Sequence, residues 1–190
     1  MTISALPFER RGSGVRAAGE VVHTYALTVI VADADSAVAA AGGWLCDRVR
    51  AGWQVTVLVP AGIDARALTI LGVRVESVES AVDALRALTT GAVAIDASVV
   101  RHDEHVRHEL LRLVDDARTE ITLWGESALF GSDGRFDRVR HRLSAAARAF
   151  KSCALSPIGP APADPAVEEF ISAALWYPPD GADLVPMRES

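Results

Sequence analysis

Five short segments of this chain carry side chains able to bind a ligand or take part in a reaction. Asp33-Ala34-Asp35 places two carboxylates one residue apart, directly after a β-branched run. Such a pair could hold Mg²⁺ for phosphotransfer. It also makes a polar turn that caps a helix opening near Ser36, and capping is favoured because no companion acid or lysine stands at suitable spacing. Asp96 lies in the apolar run 92–100 (AVAIDASVV), where a carboxylate is expensive unless paired or hydrogen-bonded. It is read as a hydrogen-bonding group near a strand end or, with Ser98, as a ligand contact. Arg101-His102-Asp103-Glu104-His105-Val106-Arg107-His108 holds three of the five histidines. On a helix, His102 and His105 are neighbours while His108 turns further round, so zinc would lack a convergent third ligand. A helix start with acids in its first turn fits better. Trp124-Gly125-Glu126 ends another apolar run, bringing Glu126 to the sheet's carboxyl edge as a ligand contact or a cap. Cys153 has Lys151 nearby but no histidine placed by sequence as its base, and it reads as a small apolar residue, as does Cys46.

Several chemistries are excluded at once. Of the 19 basic residues, 18 are arginine and only Lys151 is lysine. Lys151 follows Phe150 with no glycine-rich approach, so there is no P-loop to cradle phosphates. No G-x-S-x-G elbow and no Ser–His–Asp order suggests hydrolysis by a serine nucleophile. The net charge of −6 argues against a domain that works by neutralising nucleic-acid phosphates. The opening residues lack the apolar core of a secretory signal, and no run approaches a membrane span. Two cysteines are too few for a disulfide framework. Together these features predict a cytoplasmic protein with reduced thiols.

The elements that must position these groups alternate between strand and helix. The pattern predicts strands over Val21–Asp33, Gln54–Val59, Val73–Val75, Ala92–Val100, Glu120–Trp124 and Cys153–Leu155. It predicts helices over Ser36–Ala51, Ala65–Leu71, Ser80–Leu88, His102–Ala117, Phe136–Phe150 and Ala166–Trp176. This βαβα order implies an α/β fold of three layers, a mostly parallel sheet with helices on both faces. The expected organisation is a flexible lead over 1–20, one domain over 21–177 and a loose tail over 178–190.

Two later segments resemble a known family. Leu123–Gly134 (LWGESALFGSDG), then a helix, then FKSCALSP and ADPAVEEF, resemble the MEDS domain. This is the DcmR-type sensory domain of methanogens and methylotrophs, also found at the N-terminus of some actinobacterial anti-sigma regulators. The matching positions are Gly125, Glu126, Phe130, Gly134, Phe150, Cys153, Asp164, Pro165, Ala166 and Val167. Upstream, Leu45–Pro60 is similar to the family's helix–strand–Pro segment, and Asp96 falls where the family often has an acid. The chain departs from the family at Ala154-Leu155, where Pro-Tyr is usual, and His23 and Tyr25 do not clearly match its early aromatics. The resemblance implies a RecA- or KaiC-like core without a P-loop, with Asp96 at a Walker B-like position.

The resulting expectation is a non-catalytic sensory or regulatory domain linked to transcription, in the manner of sigma and anti-sigma control. No cofactor is expected. The ligand would sit over the carboxyl edge near Asp33, Asp35, Asp96 and Ser98, with Trp124, Gly125, Glu126 and Cys153 completing the edge. Trp176 and Tyr177 would meet a regulatory protein partner or pin the last helix to the core. The expected partners are a small molecule, a regulatory protein or a second copy in a homodimer, with neither nucleic acid nor membrane. The alternatives are a metal-dependent enzyme acting on phosphoesters through Asp33 and Asp35, and a purely structural interaction module.

Overall fold

A computed structural model describes residues 25–89, 91–125, 130, 133–156, 166–173 and 183–187. Its centre is an eight-stranded sheet in the order β3-β2-β1-β4-β5-β7-β6-β8. The first five strands in chain order are β1 (Ala26–Ile30), β2 (Gln54–Pro60), β3 (Arg74–Val78), β4 (Ala92–Asp96) and β5 (Glu120–Trp124), and they run parallel. Antiparallel pairing then adds β6 (Asp137–Arg142), β7 (Val167–Ala173) and the two-residue β8 (Val185–Pro186). The α/β class is as expected.

Alternation along the strands sorts side chains into two cores. Leu27, Val29, Ala92, Ala94 and Trp124 face α1 (Ala34–Arg50), α2 (Arg66–Ile70) and α6 (Ala145–Leu155). Ile30, Val93, Ile95, Ile121 and Leu123 face α3 (Ala81–Arg86), α4 (Ala97–His102) and α5 (Glu104–Asp116). All five residues of β4 and of β5 are buried, as central strands of a covered sheet must be. Both faces are therefore closed at the centre of the sheet. Its carboxyl edge is where ligands can enter.

The sequence-based elements need four corrections. The run 92–100 does not continue as a strand, because the Asp96 carboxylate accepts the backbone N–H of Ser98 at 2.8 Å and opens α4. Residues 136–150 are not one helix: β6 occupies the first part, and α6 begins after the Ser144 cap. Cys153–Leu155 ends that helix and is not a strand, while the expected closing helix over 166–176 is β7 through Ala173.

The reason lies in buried charge. Glu168, on β7, is buried against Lys151 of α6, with Nζ 2.6 Å from Oε1. Its carboxylate also accepts the backbone N–H groups of Gly43 and Trp44, at 2.9 and 2.8 Å. Burial pushes the Glu168 carboxyl upward, while Lys151 and the two N–H groups pull it back toward the charged form. Read as a sequence, Val167-Glu168-Glu169 is an unremarkable solvated helix turn. In the fold the first of those acids is a tie between three elements.

Two further polar ties hold α1 to β5 and to the segments around Asp183 and Ser144. Arg48 is buried, pairs with Glu120 at 2.8 Å and with Asp183, and stacks over the Trp53 ring at 3.8 Å. Asp47 accepts from the Ser144 hydroxyl at 2.6 Å and from its backbone N–H at 3.0 Å, and it meets His141 Nε2 at 2.9 Å. Asp183 also accepts from Trp44 Nε1, and the neighbouring Leu184 is buried. These ties consume the lysine, one histidine and several acids that might otherwise have served chemistry.

Candidate functional site

The strand order reverses between β1 and β4: the chain steps outward from β1 to β2 and β3, then returns to β4 and steps to β5. In open α/β sheets the helices leave that point in opposite directions, and the crevice outside the strand ends there is the usual ligand site. A cleft of about 260 Å³ lies at this place. Ser36 and Ala40 of α1 line it on the β1 side, Asp96, Ser98 and Arg101 come from the turn after β4 and from α4, and Trp124 and Gly125 end β5.

The local sequence explains this geometry. Asp96 and Trp124 are partners in the β4–β5 register, so both side chains come from the last pleat of adjacent parallel strands. Gly125 has φ +99°, a conformation that glycine accepts and other residues resist. A Cβ there would lie 3.5 Å from the Ala97 Cβ and 3.8 Å from Asp96 Oδ1, so the backbone closes tightly beside the carboxylate. Asp96 is 7% exposed, and among the described residues its carboxylate accepts one bond, from Ser98, on a group with about four lone-pair sites. Trp124 is 3% exposed, and its indole Nε1 is buried with no hydrogen-bond partner among the described residues. It also lines a smaller neighbouring cleft of about 100 Å³ with Arg138, Glu169 and Phe170.

The structure therefore brings together Asp96, Ser98, Trp124 and Gly125 from the expected set, and adds Ser36 and Arg101. The signal for these two was their position: each follows closely on a strand that borders the reversal. Asp33 and Asp35 go elsewhere. They line a separate cleft of about 400 Å³ with Gly62, Ile63, Asp64 and Arg66. Asp33 caps α1, its Oδ2 accepting the Ser36 N–H at 2.7 Å, and Asp64 accepts the Arg66 N–H at 3.0 Å. Cys153 is exposed on α6 and is not among the residues lining the cleft at Asp96, while its neighbour Ala154 lines the cleft at Asp33 and Asp35. Glu126, Trp176 and Tyr177 lie outside the described residues.

The histidine segment behaves as a helix start. Asp103 caps α5, accepting the N–H groups of His105 and Val106, and those bonds hold its carboxyl below the ordinary range. His102 Nδ1 is 2.6 Å from the Ser98 carbonyl, and the three histidine side chains are exposed. Among the described residues no three His, Cys, Asp or Glu side chains gather closely enough to hold a metal ion. No helix among them is long and apolar enough to cross a membrane.

No family model matches this chain, and no curated protein matches it. Solved structures do. The chain is similar to the zinc-inhibited form of the teicoplanin deacetylase Orf2, at a TM-score of 0.51 and 16% identity, over 69% of this chain and 82% of that one. It is similar to a deacetylase–teicoplanin complex, at 0.50 and 15%, over 69% and 85%. It is also similar to a deacetylase–bog complex from teicoplanin biosynthesis, at 0.50 and 15%, over 69% and 82%. At these identities the likeness is one of fold.

That likeness corrects the MEDS resemblance and the RecA- or KaiC-like core it implied. The expectations of a non-catalytic sensory or regulatory domain, and of a protein that is not an enzyme, fall with it, since the three solved structures named above are deacetylases. The local structure points the same way. Phe150 and Cys153, matched to a family strand, stand on α6, and Val167, matched to the opening of a helix, begins β7. The zinc named for Orf2 finds no matching donor set among the described residues of this chain.

Proposed function

We propose that this chain is a hydrolase acting on an N-acylated small molecule bound in the crevice over β1, β4 and β5. The fold likeness to deacetylases supports an enzyme of this class. The observation that carries the reading is the placement of the buried Asp96 carboxylate in the cleft beside the point where the strand order reverses, with Trp124 its backbone register partner on β5. Of the expectations from sequence, a metal-dependent enzyme accords better with the deacetylase likeness than a non-catalytic sensor does; Asp33 and Asp35, its expected ligands, line a different cleft from Asp96.

The reaction uses groups of the chain itself. Water attacks the acyl carbon while Asp96 takes its proton, and the carbonyl electrons move to oxygen. The C–N bond then breaks, and the proton passes from Asp96 to the departing nitrogen, giving a carboxylic acid and an amine. Desolvation in the crevice strengthens each of these electrostatic contacts. Ser36, Ser98 and Arg101 supply polar contacts to the remainder of the substrate.

The test is acid release from a panel of N-acetylated amino sugars, amino acids and short peptides. Turnover of at least one class is expected, with Asp96→Asn lowering kcat by about 10²–10⁴-fold. Failure of the whole panel, or wild-type turnover by Asp96→Asn, would overturn the reading.

A further inference from the structure

β3 is the outermost strand on the parallel side of the sheet and pairs with β2 alone. Along its other edge no strand lies beside it among the described residues. Such an edge is a template for pairing with another chain, and proteins usually blunt it with charge, proline or a bulge. β3 reads Arg74-Val75-Glu76-Ser77-Val78, with no proline and with two charges of opposite sign. Arg74 and Glu76 are both exposed, and neither makes an ion pair with a described residue.

Two residues apart, Arg74 and Glu76 project from the same face of the strand. A two-fold axis perpendicular to the sheet would set two copies of β3 antiparallel, with one residue of each on the axis. Centred on Arg74 this pairing opposes two arginines, and centred on Glu76 it opposes two glutamates, both unfavourable. Centred on Ser77 it opposes Glu76 to Val78 and leaves Arg74 unmatched. Centred on Val75 it sets each Arg74 opposite the partner's Glu76 and brings the two valines together. The edge is self-complementary in that register only.

We propose that β3 joins two copies of this chain in a two-fold dimer centred on Val75, held by the strand ladder and by two Arg74–Glu76 pairs. One sheet then runs through both copies. No residue of β3 lines the cleft at Asp96, so the dimer is independent of the hydrolase reading.

Sedimentation velocity of the full chain over a concentration series tests this. Wild type is expected to pass from monomer to dimer as concentration rises. Arg74→Glu sets acids against acids, and Glu76→Arg sets bases against bases. Each alone should weaken dimerisation about tenfold or more. Mixing the two variants should restore it, because the acids of one then face the bases of the other. The double exchange Arg74→Glu with Glu76→Arg should restore it in a single chain. Both positions are exposed, so the variants are expected to fold as wild type does.

A wild-type chain that stays monomeric at the highest concentration would overturn the proposal. A dimer that the single variants leave intact would place the contact on another surface and overturn it too. Single variants that remain weakened when mixed would have the same consequence.

Discussion

The ammonium of Lys151 lies 2.6 Å from Oε1 of Glu168, and both side chains are buried. The chain's one lysine is thus a structural ion and is unavailable as a nucleophile or a phosphate ligand. Removing a single partner leaves an uncompensated charge in the core, which costs about 3–5 kcal/mol. Lys151→Met is expected to lose that much in urea denaturation, and Lys151→Met with Glu168→Gln should recover part of it. Equal stability of Lys151→Met and wild type would refute the pair's role.

Gly43 is tied to the same place by shape. A Cβ at this position would stand 2.2 Å from Leu143 Cδ2 and 2.5 Å from its Cγ, and 3.1 Å from Glu168 Oε1. Gly43→Ala should therefore destabilise by about 1–3 kcal/mol through overpacking, despite the better helix propensity of alanine. Combining it with Leu143→Ala should cost less than the two separate losses added together, a coupling that a double-mutant cycle reads directly.

Acid should act through Asp47. Burial raises its carboxyl, but the Ser144 hydroxyl, the Ser144 N–H and His141 outweigh that and leave it below the ordinary value. A carboxyl depressed in the folded state contributes its full stability above its unfolded value near 3.8, and loses it as pH falls through the folded value. The thermal midpoint of Asp47→Asn should fall below wild type at pH 6, and the gap should close as pH is lowered below 4. A gap independent of pH would contradict this account.

Asp33 and Asp35 should part company under mutation. Asp33 caps α1, so Asp33→Ala should cost about 0.5–2 kcal/mol. Asp35 is exposed in the first turn, and Asp35→Ala should stay within about 0.5 kcal/mol of wild type. A zinc-dependent rise in thermal midpoint, lost in both variants, would show instead that the two hold a metal together.

The parallel half of the fold was legible because each signal was local. Gln54–Val59 and Glu120–Trp124 are apolar runs of strand length, and Gly52 and Gly72, both at positive φ, end helices as their positions suggested. The antiparallel half was not. Asp137–Arg142 shows four charged residues, and only its inward pair, Val139 and His141, carries the period of two. Val167–Ala173 contains two adjacent glutamates whose different fates depend on Lys151, a residue distant in sequence. Tertiary pairing overrode local propensity there. Asp96 was recognisable as a carboxylate at a strand end, but that Asp33 and Asp35 line a different cleft from it, although β1 and β4 are neighbours, is not disclosed by residue types.

The most direct test of the central claim is chemical-shift mapping of the ¹⁵N-labelled full chain with the N-acetylated compound that is best turned over or best bound. Shifts are expected to cluster at Ser36, Ser98, Arg101, Trp124 and Gly125, around the point where the strand order reverses. Shifts confined to Asp33, Ile63, Asp64 and Arg66 would place the ligand in the other cleft and contradict the account.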